Sequence, residues 1–382
     1  MHHIILNKEA YFGAGCVKKI GDEAVERHLK CAFIVTDRNL IKFGTLAPVI
    51  EALQKSNIDF RIFDEVVPNP TISVIQHGVQ VFQSYGCDFL VAVGGGSPID
   101  TAKAISIVAA NPEYSDIRSL EQVIQTPKLG VILFAVPTTA GTASEVTRDY
   151  VITDEARARK FLVADDNCIP RVAFIDARMM MGMPASLAAA TGMDALTHAI
   201  EAYVSKSSWD MTDIFALKAV ECIGKYLKPS CSGLENAREQ MALAQYLAGM
   251  AFSNAGLGAC HALAHPLGGR CHVAHGVANA ILLPSVMEFN APFVGDKFRS
   301  IAKALGIHGT AKMTVEQANQ AAIDAVRALS KQVGIPQKLS DVHVTEADIP
   351  DLARDAVLDA CARDNPRPLH TGNAEDIYRK LL

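Results

Sequence analysis

Phe89-Leu90-Val91-Ala92-Val93-Gly94-Gly95-Gly96-Ser97-Pro98-Ile99-Asp100 decides how the first half of this 382-residue chain reads. Five apolar residues in a row, without polar alternation, describe a strand buried on both faces. Three glycines then interrupt the run, and Ser97-Pro98 opens a helical pattern, since proline is tolerated in a helix's first turn. A strand passing through a glycine-rich turn into a helix is the connection of a parallel α/β sheet. Its backbone N–H groups, at a positive helix terminus, can approach a pyrophosphate. The turn is not G-x-G-x-x-G, so a plain tight turn stays open as the alternative.

Working outward, apolar runs at residues 31–37, 131–136 and 172–176 predict further strands. Residues 150–153 and 160–163 predict a hairpin around Asp154-Glu155-Ala156. After Met183-Pro184 strand-like runs largely vanish, and Ala-, Leu- and Met-rich segments at helical spacing continue to Leu382. The expectation is an α/β dinucleotide-binding domain over residues 1–182 and an all-helical domain over 183–382. Two domains also suit a length beyond that of one growing core. Pro98, Pro184 and Pro266 are placed at or near helix starts or breaks, and Met179-Met180-Met181 at a packed linker.

Hydrophobic residues make up 49% of the chain, enough for two cores and too much for a disordered protein. A net charge of -5 without a long Lys/Arg run excludes a general nucleic-acid surface. Nine singly spaced cysteines, with no C-x-x-C pair, suit reduced thiols in a cytoplasm. The opening Met1-His2-His3-Ile4-Ile5-Leu6 lacks the pattern of a leader, and no apolar run reaches membrane-span length.

Of twelve histidines, four (His261, His265, His272, His275) fall in one fifteen-residue window, where even spreading would place about half of one. Asp194 and His198, four apart on a helical pattern, project from one face, as do His261 and His265. Gly268-Gly269 is read as a turn that folds His275 back toward them. Three imidazoles and a carboxylate suit a borderline divalent ion such as Fe(II) or Zn(II) rather than Ca(II) or Mg(II). Helix histidines satisfied by hydrogen bonds are the alternative. His272 is assigned to the turn, Cys260 and Cys271 to small buried positions, and Glu201 to an exposed helix face, with an acceptor behind a metal-binding histidine as its alternative.

Asp37, ending an earlier strand, can accept hydrogen bonds from adenosine ribose hydroxyls and repel a 2′-phosphate, which favours NAD(H); an ordinary turn residue is the alternative. Gly95, Gly96 and Ser97 supply the first phosphate loop. Pro137-Thr138-Thr139-Ala140-Gly141-Thr142-Ala143-Ser144-Glu145 supplies a second hydroxyl-rich loop, unless it is a solvent-facing turn.

Together Gly94-Gly95-Gly96-Ser97 with Asp100, Pro137 to Thr142, Gly192-Met193-Asp194-Ala195 with His198, and the histidines from His261 to His275 resemble the iron-containing (iron-activated) alcohol dehydrogenase family over nearly the whole chain. Residues 63–70, 111–120 and 149–154 resemble the branch that interconverts lactaldehyde and 1,2-propanediol. The resemblance implies a homodimer with a cleft between the two domains. It implies a metal, iron or alternatively zinc, on Asp194, His198, His261 and His275, with His265 beside the substrate. It places NAD(H) on Asp37, Asn69, Gly96, Ser97, Thr138, Thr139 and Lys160. Asp149 departs from the pattern, where a neutral Asn is expected, and bears on the nicotinamide or substrate contact. The implied reaction is hydride transfer from NADH to a small aldehyde; His265 is the candidate for relaying the proton, with a structural histidine as the alternative. The competing readings are a family branch acting on 1,3-propanediol, glycerol or simple primary alcohols, a lyase resembling dehydroquinate synthase, and a nucleotide or metal sensor without turnover.

Overall fold

The computed structural model describes residues 2–157 and 159–382; Met1, the first residue of the opening stretch read above as lacking a leader pattern, lies outside them. The chain divides into two compact units, Ile5–Thr139 with Ala143–Met183, and Pro184–Leu382 with Ala140–Thr142 and Met1–Ile4.

The first unit runs β1 (Glu9–Phe12), α1 (Ile20–Glu26), β2 (Cys31–Val35), α2 (Arg38–Lys42), α3 (Ala47–Lys55), β3 (Asp59–Phe63), α4 (Ile72–Tyr85), β4 (Phe89–Gly94), α5 (Gly96–Ala110), β5 (Leu133–Pro137), β6 (Asp149–Asp154), β7 (Arg159–Ala164) and β8 (Val172–Ile175). Six strands form one parallel sheet in the order β1-β8-β5-β4-β2-β3, and β6 with β7 forms a separate antiparallel hairpin. Leu90 and Ala92 of β4 enter one apolar layer, and Phe89, Val91 and Val93 enter the layer on the opposite face. That is why the run at residues 89–93 is apolar without alternation.

Two strands, β1 and β3, were not expected from the sequence. Both are sheet edges, and in β3 only Phe63 is buried, so neither carries a continuous apolar run. The strand expected at 31–37 ends at Val35, and Thr36 and Asp37 lead into α2. The strand expected at 131–136 begins only at Leu133.

The second unit contains α6 (Ala185–Val204), α7 (Asp210–Cys231), α8 (Glu235–Ala255), α9 (Ala259–Arg270), α10 (His275–Asn290), α11 (Lys297–Ala304), α12 (Val315–Gln332), α13 (Ile349–Leu358) and α14 (Thr371–Lys380), with no strand among the described residues. Helix α6 packs against α7, α8 and α10 and is buried almost all round in its second half. It therefore has no amphipathic stripe. No described helix is long and apolar enough to cross a membrane.

The expected turn at Gly268-Gly269 is corrected: both glycines and Pro266 lie inside α9, and the turn is made by residues 271–274, with His272 left-handed at φ 56°. Each glycine costs a helix about 1 kcal/mol relative to alanine. The fully buried Leu263 and Leu267, flanking Pro266, outweigh that by packing.

Candidate metal centre and nucleotide pocket

Helix α6 carries Asp194 and His198 one turn apart, both buried, so a carboxylate and an imidazole leave the same face. Helix α9 supplies His261, 1% exposed, and α10 begins with the half-buried His275. One ligand atom from each of the four lies within 4.8 Å of those of the others. Helix α10 can come this close to α6 because residue 276 is glycine: a Cβ there would stand 2.4 Å from the Ala190 carbonyl oxygen.

The amide nitrogen of Asn279, one turn after His275, lies 2.8 Å from Asp194 Oδ1, 3.1 Å from His261 Nε2 and 3.2 Å from His275 Nε2. Three lone-pair acceptors converge there, and an amide has two N–H bonds to answer them. His198 Nδ1 and Asn279 Oδ1 are buried without a hydrogen-bond partner. Burial lowers the pKa of His198, and burial with the neighbouring imidazoles lowers His261 further, so both rings are neutral and keep a lone pair. The donor set of three nitrogens and one carboxylate therefore fits a borderline divalent cation.

Glu201 corrects an expectation. Read from sequence as exposed, it is 2% exposed, and its Oε2 lies 2.6 Å from His261 Nδ1 while Oε1 accepts the Cys260 N–H at 2.6 Å. Burial pushes the Glu201 carboxyl up to about 8 while the same burial pushes His261 down. The contact between Oε2 and Nδ1 orients the ring and leaves Nε2 turned toward Asp194 and His275.

His265, one turn beyond His261, stacks on His275 at 5.5 Å between ring centres. Its Nδ1 lies 2.8 Å from Asp359 Oδ2, at the start of a short 3-10 turn after α13. Against the upward pull of burial, the His265 charge and hydrogen bond and the Cys361 N–H hold the Asp359 carboxyl below its ordinary value. An ionised Asp359 accepts the Nδ1 proton of His265 and leaves Nε2 as the atom that can exchange one.

In the first unit, Asp37, Gly95, Gly96 and Ser97 line one cavity of about 560 Å³, at the C-terminal ends of β2 and β4. Asp37 is the N-cap of α2: Oδ1 accepts the N–H groups of Asn39 and Leu40 at 2.8 and 3.1 Å. The strand-end residue is thus a cap with its second oxygen still available. Across the cavity Gly95 caps α5, a helix of 15 residues whose first N–H groups, on Gly96 and Ser97, have no intrahelical acceptor.

Thr139 lies against this turn, its Oγ1 3.1 Å from where a Gly95 Cβ would stand, and the Thr138 N–H donates to the Gly94 carbonyl at 2.9 Å. Lys160 Nζ donates to Asn69 Oδ1 at 2.7 Å, with Asn69 left-handed at φ 57° just past the cavity's Pro68. Thr142 belongs to the second unit and does not line the cavity. Asp149 opens β6, its carbonyl accepting Lys103 Nζ at 2.8 Å, and burial pushes its carboxyl up to about 6.

The sequence reading missed Asn279 and Asp359, and it held the acceptor role of Glu201 only as the lesser alternative. Asn279 carried a usable signal, since it lies four residues after His275 on one helix. Asp359 carried none, because 94 residues separate it from His265.

The family model described as iron-containing alcohol dehydrogenase matches residues 7–177, and that of the C-terminal part of the Fe-containing alcohol dehydrogenase family matches residues 188–382. The chain is 50% identical over 377 residues to lactaldehyde reductase of Escherichia coli (strain K12), covering 99% of this chain and 98% of the relative. A crystal structure of 1,3-propanediol oxidoreductase superimposes with a TM-score of 0.97 at 39% identity, covering 100% of both chains. Sulfoacetaldehyde reductase from Bifidobacterium kashiwanohense, solved in complex with NAD+, superimposes with a TM-score of 0.90 at 27% identity, covering 100% of this chain and 98% of that one.

Proposed function

Because the chain belongs to the iron-containing alcohol dehydrogenase family, we propose that it interconverts lactaldehyde and 1,2-propanediol with NAD(H), using a divalent iron. The observation that carries the metal assignment is the convergence of Asp194, His261 and His275 on one amide nitrogen in a buried four-ligand cluster. When bound, the metal supplies a Lewis acid for the substrate oxygen and the nicotinamide a hydride donor.

The chain's own residues do the rest. Neutral His198 and His261 offer lone pairs, and Glu201 holds the His261 tautomer. Gly96 and Ser97 donate backbone N–H bonds to the dinucleotide's phosphates, and Gly95 lets the backbone approach. The second oxygen of Asp37 accepts from ribose hydroxyls and disfavours a 2′-phosphate, while Asn69, Lys160, Thr138 and Thr139 border the same dinucleotide. His265 moves the proton of the product hydroxyl through Nε2, with Asp359 holding its Nδ1. Thr142 and Asp149 are assigned to the nicotinamide and substrate end. The α/β domain (1–182) binds NAD(H) and the helical domain (183–382) binds metal, in a cytoplasmic homodimer whose nine free cysteines suit a reducing compartment.

The test is an anaerobic assay of metal-stripped protein, following NADH oxidation by lactaldehyde, 3-hydroxypropanal and butanal after Fe(II) or Zn(II) is restored. Iron should restore turnover, with lactaldehyde giving the highest kcat/KM, and His261→Ala should abolish metal retention and activity together. Full activity of a metal-free His261→Ala protein would overturn the proposal; preference for 3-hydroxypropanal would move the enzyme to the 1,3-propanediol branch.

A further inference from the structure

Cys31 opens β2, and Cys87 lies two residues before β4, its parallel neighbour. The pairing continues one step below the strands: Asp88 donates its N–H to the Cys31 carbonyl at 3.0 Å, and its carboxylate accepts the Cys31 N–H at 3.0 Å. Cys87 lies outside the strand's alternation, and both cysteines pack against the apolar layer that includes Phe33 and Leu90. Their sulfurs are 3.0 Å apart. Cys87 also donates to the Ala32 carbonyl at 3.7 Å, and Cys16, Cys168 and Cys260 turn their sulfurs to the backbone oxygens of Tyr11, Arg148 and Asn279.

We propose that Cys31 and Cys87 are a reversible cross-linking site, a dithiol that closes to a disulfide by exchange with a low-molecular-weight disulfide and staples β2 to β4. The sulfurs need to approach by about 1 Å to reach the bond length of roughly 2.05 Å, a movement within reach of side-chain rotation. Burial, then the hydrogen bond that its S–H donates to Cys31, pushes the Cys87 thiol up to about 12; Cys31, the less buried of the two, is the one a dissolved disulfide reaches first. Its thiolate attacks one sulfur of oxidised glutathione and releases one glutathione thiol. The mixed disulfide removes the Cys31 hydrogen bond from Cys87, whose thiolate then attacks the Cys31 sulfur and releases the second glutathione. Two protein thiols are oxidised, one glutathione disulfide is reduced, and both protons end on glutathione.

The staple joins residues 56 apart in sequence at the N-terminal ends of the strands. The cavity lined by Asp37 and Gly95 is at their C-terminal ends. Closure therefore restricts the unfolded chain without rearranging the pocket.

The experiment treats the full-length reduced protein with oxidised glutathione and reads denatured thiol count, non-reducing peptide mass and melting temperature. The expected result is a fall from nine free thiols to seven, a Cys31–Cys87 linked peptide, and a melting temperature raised by several degrees and reversed by dithiothreitol. Cys31→Ser and Cys87→Ser should each lose the linked peptide and the thermal gain while keeping NADH turnover. Retention of nine thiols, a stable mixed disulfide on Cys31, or linkage to another cysteine would overturn the proposal. None of these readouts depends on the substrate assigned above.

Discussion

Asp149 carries a carboxyl at odds with its place. Burial raises its carboxyl from 3.8 to about 6, and the positive charge of Lys103 offsets only part of that. An acid that binds its proton more tightly in the folded chain stabilises folding at low pH, and this contribution is lost as pH rises from 3.8 through about 6. Asp149→Asn, which cannot ionise, should match the parent near pH 4 and exceed it by on the order of 2 kcal/mol at pH 7. Urea unfolding of both proteins across that range checks the prediction; a difference independent of pH would refute it.

At this scale the sequence was informative about identity and silent about surroundings. Asp194, His198 and His261 were legible because a helix's period places them, whereas Glu201 was misjudged because burial depends on what packs over a helix. Asp359 reaches His265 only through the fold.

Among elements, the crossing of α10 on α6 determines whether the four ligands meet. Gly276→Ala would place a Cβ 2.4 Å from the Ala190 carbonyl oxygen, a backbone atom that has to move with its helix. Such overpacking costs about 1–3 kcal/mol. The variant should lose urea stability by that amount and retain less than a tenth of the parent's metal on gel filtration, because His275 and Asn279 move away from Asp194 together. Full metal content by elemental analysis would show that the crossing is not what assembles the centre.

Central strands such as β4 were legible from continuous apolar runs, and edge strands β1 and β3 were not, since one neighbour and partial exposure relax the demand for apolar side chains. Helix α9 misled in the opposite direction: Pro266, Gly268 and Gly269 are poor helix formers, and packing of buried Leu263 and Leu267 overrides them.

For the whole molecule, the proposed metal and dinucleotide would bind the folded state and so stabilise it by mass action. At a hundred times its dissociation constant each adds about 2.7 kcal/mol. Calorimetry of chelator-treated protein should show a lower melting temperature than the iron-loaded form, and added NAD+ should raise the chelated form's value. A chain of this length need not unfold in one step, so the measured quantity is the shift of each transition rather than a single free energy. A melting temperature unmoved by chelation would contradict a structural contribution from the buried cluster.

What the sequence determined by itself is local: which runs form central strands, that a glycine-rich turn meets a helix at residues 94–98, and that carboxylate and imidazole share a face of α6. These follow from backbone periodicity, which acts over a few residues. The tertiary structure decided the rest. It turned Glu201 inward beneath His261, brought Asn279 to three acceptors at once, set Asp359 behind His265, and closed Cys31 on Cys87. Each of these joins residues far apart in the chain, and only the packing of whole elements fixes the distances over which hydrogen bonds and sulfur contacts act.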